Sequence, residues 1–92
     1  MSNYYEMRLF VAGNDTTSVQ AEANLTKICE THLESDEYDI EVIDILLDMQ
    51  AAVQNRVFIT PTLLAHINSS DPITLIGSLG DSQMVLSALG IM

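Results

Sequence analysis

The chain has 92 residues and a formal net charge of −10, with thirteen Asp and Glu opposed only by Arg8, Lys27 and Arg56. That balance excludes nucleic-acid binding, which rests on clustered cations, and disfavours an anionic membrane surface. With 48% hydrophobic residues and one cysteine, it reads as one domain, 1–92, with a real core but no disulfide and no multi-cysteine zinc site.

The first element is Met7 to Ala12, a nearly continuous apolar run that suits a central strand covered on both faces. Asp15, Thr16, Thr17 and Ser18 offer N-caps for a following helix, and Thr17 with Gln20 fits a capping box. Ala21, Leu25, Ile28, Cys29 and Leu33 then recur at helical spacing. Tyr38, Ile40 and Val42 alternate with Asp39 and Glu41, as in a strand with one wet face whose carboxylates discourage edge pairing. Asp48 can cap a short helix over Met49 to Asn55, where Ala51, Ala52 and Val53 supply a small apolar face.

Thr60 precedes Pro61 and is therefore extended. Leu63 to Ile67 and Ile73 to Ile76 form a hairpin around the turn Asn68-Ser69-Ser70-Asp71-Pro72. Asp81 caps a last helix with a buried stripe of Met84, Val85, Ala88 and Leu89, and Gly90 near its end. The scheme is α/β, in the order βαβαββα, with the first two strands parallel through a right-handed crossover. This order resembles the thioredoxin layout, in which a cis proline opens the third strand beside the redox site; Pro61 is the candidate. No Cys-x-x-Cys follows the first strand, where Gly13-Asn14-Asp15-Thr16 stands instead.

Catalytic chemistry finds little support. Cys29 lies mid-helix on the apolar side, away from the helix N-terminus that lowers a thiol pKa. His32 and His66 stand alone on different elements. Eight carboxylates fall between Glu30 and Asp48 without one Lys or Arg. They do not match a calcium loop, and a solvated face or a basic partner explains them better. Gly77-Ser78-Leu79-Gly80 lacks the lysine of a phosphate-cradling loop. No metal, cofactor or catalytic residue is assigned. No segment is long and apolar enough to span a membrane, and no signal-peptide pattern opens the chain, so the cytoplasm is the expected location.

Three segments together resemble the KaiB family of circadian-clock proteins. They are Arg8-Leu9-Phe10-Val11-Ala12-Gly13-Asn14 with Ser18-Val19; Val42-Ile43-Asp44-Ile45 leading to Thr60-Pro61-Thr62-Leu63; and Leu75-Ile76-Gly77-Ser78-Leu79 with Val85-Leu86. The resemblance implies a non-enzymatic, possibly metamorphic adaptor that binds a KaiC-type ATPase and recruits KaiA-like or histidine-kinase partners. It implies two folds: a ground state, βαββααβ, that assembles as a tetramer, and a thioredoxin-like state, βαβαββα, that is monomeric. The clean βαβαββα pattern favours the second. The expected partner contacts are Gln20, Asn24 and Lys27 on the first helix, with Asp39 and Glu41 on an edge strand running to Asp44.

Two departures bear on function: Gln20 stands where the family commonly has Arg, and the Pro-rich run between the third and fourth strands is reduced to Ser70-Asp71-Pro72. An alternative reading is a stand-alone sensory domain, similar to the N-terminal domain of KaiC-binding histidine kinases, with a role outside the clock. A thiol enzyme of the thioredoxin kind needs a thiol at positions 14–18, and none is there.

Overall fold

The computed structural model describes residues 3–91. Seven elements follow in the order β1 (Tyr5–Val11), α1 (Thr16–His32), β2 (Tyr38–Asp44), α2 (Met49–Gln54), β3 (Thr62–Ile67), β4 (Ile73–Ile76) and α3 (Ser82–Ala88). They build one four-stranded sheet ordered β2-β1-β3-β4. Strand β1 runs parallel to β2 and antiparallel to β3, and β3 pairs antiparallel with β4. Of the two layouts open to the sequence, this is βαβαββα, the thioredoxin-like one.

Alternation along β1 sends side chains to two faces. Tyr5, Met7, Leu9 and Val11 join the main core with Ala21, Leu25, Ile28 and Cys29 of α1 and Val85, Leu86 and Leu89 of α3. Phe10 points the other way, into a small cluster with Ala52, Val57 and Leu64 under α2. The expectation that β1 is covered on both faces therefore holds only at Phe10. Its neighbours Glu6 and Arg8 keep contact with solvent because α2 spans just six residues. The strand also starts two residues earlier than the apolar run, at Tyr5, which pairs with both Tyr38 and Ile67.

The capping box expected at Thr17 and Gln20 is not formed. Asp15 is the N-cap, its carboxylate accepting from the Ser18 amide at 3.4 Å, so Thr17 lies inside the helix. The Ser18 hydroxyl instead accepts from the Ala12 amide at 3.2 Å and ties the helix to the end of β1. Asp48 and Asp81 cap α2 and α3 in the same way, on Ala51 and Met84.

In α2, Ala52 is buried while Val53 faces solvent. The buried stripe of α3 is Val85 and Leu86 with Leu89 at the C-cap; Met84 and Ala88, on the side of the helix away from Leu86, stay exposed and half-buried. Past the end of α3, Gly90 takes φ +71, the Ile91 amide donates to the Leu86 carbonyl and the Gly90 amide to that of Ser87. This is the double bond pattern of a Schellman cap, which needs a left-handed residue at Gly90.

The Thr60–Pro61 bond is cis. Thr62 pairs with Phe10, which sets Pro61 beside the C-terminal end of β1 and the turn into α1. On its other side, the Gly77 amide donates to the Pro61 carbonyl at 3.0 Å.

Candidate functional site

The turn between β1 and α1, next to Pro61, is where this layout would place a redox thiol. Here it is held by polar bonds instead. The Asp44 carboxylate accepts from the Gly13 amide and the Leu46 amide, both at 3.0 Å, and so locks together the turns that leave β1 and β2. Cys29 lies far along α1, fully buried. Burial, helped by the nearby Glu30 carboxylate, pushes its thiol up from 9.0 to about 11. A thiol held protonated at neutral pH is a poor nucleophile, and this one packs as a small apolar side chain.

Gln20, Asn24 and Lys27 are spaced by four and three residues and so share one side of α1. Gln20 and Lys27 are exposed, whereas Asn24 is half-buried and already engaged. Its side-chain amide donates to the Ser78 carbonyl at 2.8 Å, tying α1 to the turn between β4 and α3. That turn carries Leu79 in a left-handed conformation, φ +59, with its side chain buried in the core. Lys27 and Asn24 also line a half-open cleft of about 250 Å³ with Thr31, His32 and Ser82.

Asp39 and Glu41 lie on β2 at one edge of the sheet, both exposed. The register pairs Asp39 with Glu6 and Glu41 with Arg8, which places these carboxylates on the α2 face. Helix α1 covers the other face, so the structure does not bring the two groups of expected contacts onto one surface. Arg8 Nε lies 3.9 Å from Glu41 Oε1, and Arg8 Nη1 donates to Asn55 Oδ1 at 3.3 Å. With 42% and 63% of the two charged side chains exposed, this ion pair contributes only about 0–1 kcal/mol.

Several acids of the 30–48 run are structural. Asp44 joins two turns, Asp48 caps α2, and the Glu37 carboxylate accepts from the Glu34 amide at 2.8 Å in the turn before β2. His66 bonds through Nδ1 to the Ser70 carbonyl at 3.0 Å, across the hairpin turn. No group of three His, Cys, Asp or Glu side chains among the described residues is arranged to hold a metal ion. None of the described helices is long and apolar enough to cross a membrane.

The sequence reading missed the apolar surface around α2. Leu46, Leu47, Met49, Val53, Phe58 and Ile59 are all more than half exposed. The available signal was their density: six large apolar residues in fourteen positions around a helix too short to bury them.

Comparison with known proteins agrees with this geometry. The family model for the KaiB domain matches residues 8–91. The circadian clock protein KaiB3 of Synechocystis sp. is 36% identical over 90 residues, covering 97% of this chain and 85% of the relative. The circadian clock oscillator protein KaiB of Acaryochloris marina is 36% identical over 88 residues, covering 96% and 83%. Among solved structures, a malaria-parasite thioredoxin-2 superposes with a TM-score of 0.78 at 12% identity, covering 98% of this chain and 85% of the other. Chloroplastic thioredoxin z gives 0.78 at 14% identity, covering 96% and 78%. At such identities the thioredoxins establish the fold alone, whereas the matches in sequence establish kinship: the chain belongs to the KaiB family.

Proposed function

We propose that the protein is a non-enzymatic KaiB-like clock or regulatory adaptor of the cytoplasm that binds a KaiC-type ATPase. The observation that carries this reading is family membership across residues 8–91 on a thioredoxin-like frame whose turn after β1, Gly13-Asn14-Asp15-Thr16, holds no thiol. The lone thiol is buried and held protonated, which supports binding rather than thiol chemistry. Gln20 and Lys27 offer one contact surface on α1, and the β2 edge with Asp39 and Glu41 offers another. Asn24 acts there mainly by holding α1 against residue 78.

The thioredoxin-like arrangement is the resting state in this proposal, and a KaiC-type ring selects it rather than creates it. Isothermal titration with a nucleotide-loaded KaiC-type ring tests the reading. Binding that weakens at least five-fold when Gln20 and Lys27 are both changed to Glu supports it. No heat of binding at high micromolar concentration refutes it.

A second reading, a stand-alone sensory domain similar to the N-terminal domain of KaiC-binding histidine kinases with a role outside the clock, is favoured by Gln20 in the place where the family commonly has Arg. No binding to the ring, with a gene neighbourhood that holds no clock components, would select it.

A further inference from the structure

Strand β4 is an outer strand, at the edge of the sheet opposite β2. Its register sets Ile76 against Thr62 and Thr74 against Leu64, and one step further on it sets Gly77 against Pro61. The Gly77 amide donates to the Pro61 carbonyl at 3.0 Å, which fixes the phase of the ladder. In an antiparallel pair, bonded residues alternate with unbonded ones. Gly77, Leu75 and Ile73 therefore turn their amides and carbonyls towards β3, while Thr74 and Ile76 turn theirs to the open side. Among the described residues, no loop or side chain bonds to those four outward groups. The β2 edge carries the carboxylates of Asp39 and Glu41, which discourage pairing; β4 reads Ile-Thr-Leu-Ile, without a charge.

Beside this edge lies a groove. The side chains of Thr74 and Ile76 share a face of the sheet with Leu64, the face that α2 partly covers. With Phe58 and Ile59 they line a hollow of about 300 Å³. Phe58 is 86% exposed, Ile59 58% and Ile76 57%, so its apolar walls stand open to solvent. No Asp or Glu lines it and Arg56 is its only charge. Among the described residues, Arg56 makes no ion pair.

A strand laid antiparallel against β4 places the side chains opposite Thr74 and Ile76 on that same face, over the groove. The outward backbone groups, the apolar hollow and the arginine thus fit one kind of occupant. We propose that β4 takes up an extended peptide segment of a partner as a fifth strand, with apolar side chains at alternate positions and a carboxylate for Arg56. A second copy of this edge would bring no carboxylate and would set Arg56 near Arg56. The contact lies away from α1 and β2 and goes beyond the adaptor reading.

The probe is a blocked seven-residue peptide with Val, Ile and Glu at its second, fourth and sixth positions and Ser or Thr between them. Titration into the isotope-labelled full chain, followed by amide chemical shifts, gives a dissociation constant of about 10–500 µM. The largest changes fall on Thr74, Ile76 and residues 56–59. Methylating the peptide's Ile amide removes a bond to β4 and weakens binding about ten-fold, whereas methylating the next amide, which points away, changes it by less than about two-fold. Replacing the peptide's Glu by Gln, or Arg56→Asn, weakens binding about two- to five-fold. Asn tolerates the left-handed φ +56 of Arg56, so this variant stays folded. No saturable shift by about 2 mM peptide, or shifts centred on β2, overturns the proposal. Equal losses from the two methylations, or indifference to both charge changes, overturn it as well.

Discussion

Asn24 offers the most direct perturbation of the link between the two halves of the fold. Its side-chain nitrogen donates to the Ser78 carbonyl at 2.8 Å, from mid-α1 to the turn between β4 and α3. Asn24→Ala removes the donor and leaves a partly buried carbonyl to find water. A typical hydrogen bond contributes about 0.5–1.5 kcal/mol net, and an orphaned buried partner raises the cost to about 1–3 kcal/mol. Asn24 is only half-buried, so we expect about 1–1.5 kcal/mol here. For a chain of this size that lowers Tm by about 4–12 °C.

Asn24→Asp is the sharper variant. It keeps the shape but sets a carboxylate oxygen against a carbonyl oxygen, so it costs at least as much as Ala at pH 7. Part of the loss returns at low pH, where the protonated acid can donate again. Thermal unfolding followed by circular dichroism between pH 4 and pH 7 measures both. Two variants within about 0.3 kcal/mol of the parent at pH 7 would refute the strut and the arrangement of residues 78–89 that depends on it.

Three further outcomes follow from the same physical reasoning. Cys29 is protonated in both states below 9.0, and its folded value is raised to about 11. Its contribution to stability is therefore full below pH 9 and is lost as pH climbs from 9 to 11, where the unfolded thiol ionises first; on the order of 1–3 kcal/mol is at stake. Denaturant titrations of parent and Cys29→Ala should differ in that pH window and run parallel below it.

Gly77 takes φ +110 with open space where a Cβ would sit, so Gly77→Ala meets no clash and pays only backbone strain, about 1–3 kcal/mol in chemical denaturation. A neutral result would mean that this turn is not built as described. Arg8→Met with Glu41→Gln, by contrast, should change stability by less than about 1 kcal/mol, since the pair is long and wet.

Much of this fold was legible because its signals are local. Periodicity and aspartate caps place α1, α2 and α3, while alternation places β2 and the Asn68–Pro72 turn the hairpin. Details that depend on packing were not legible. The choice between Asp15 and Thr17 as the cap turns on Ser18 being needed by the Ala12 amide, a contact between successive elements. The buried face of α3 depends on how the helix is turned against α1 and the sheet, which is set by packing.

The site was harder to read for the same reason. Spacing along α1 correctly groups Gln20, Asn24 and Lys27, but only the register shows Asp39 and Glu41 facing away from them. Only the three-dimensional turn shows that Asp44 and Asp48 serve the backbone. Leu47 and Phe58 look like core residues in sequence and become surface because α2 has too few turns to bury them.

The central claim is that the thioredoxin-like layout is the resting fold of this chain. Backbone chemical shifts of residues 56–91 in the free protein test it most directly. The account predicts strand shifts over Thr62–Ile67 and Ile73–Ile76 and helical shifts over Ser82–Ala88. Helical shifts where β3 and β4 lie, in the order strand, helix, helix, strand after β2, would contradict it.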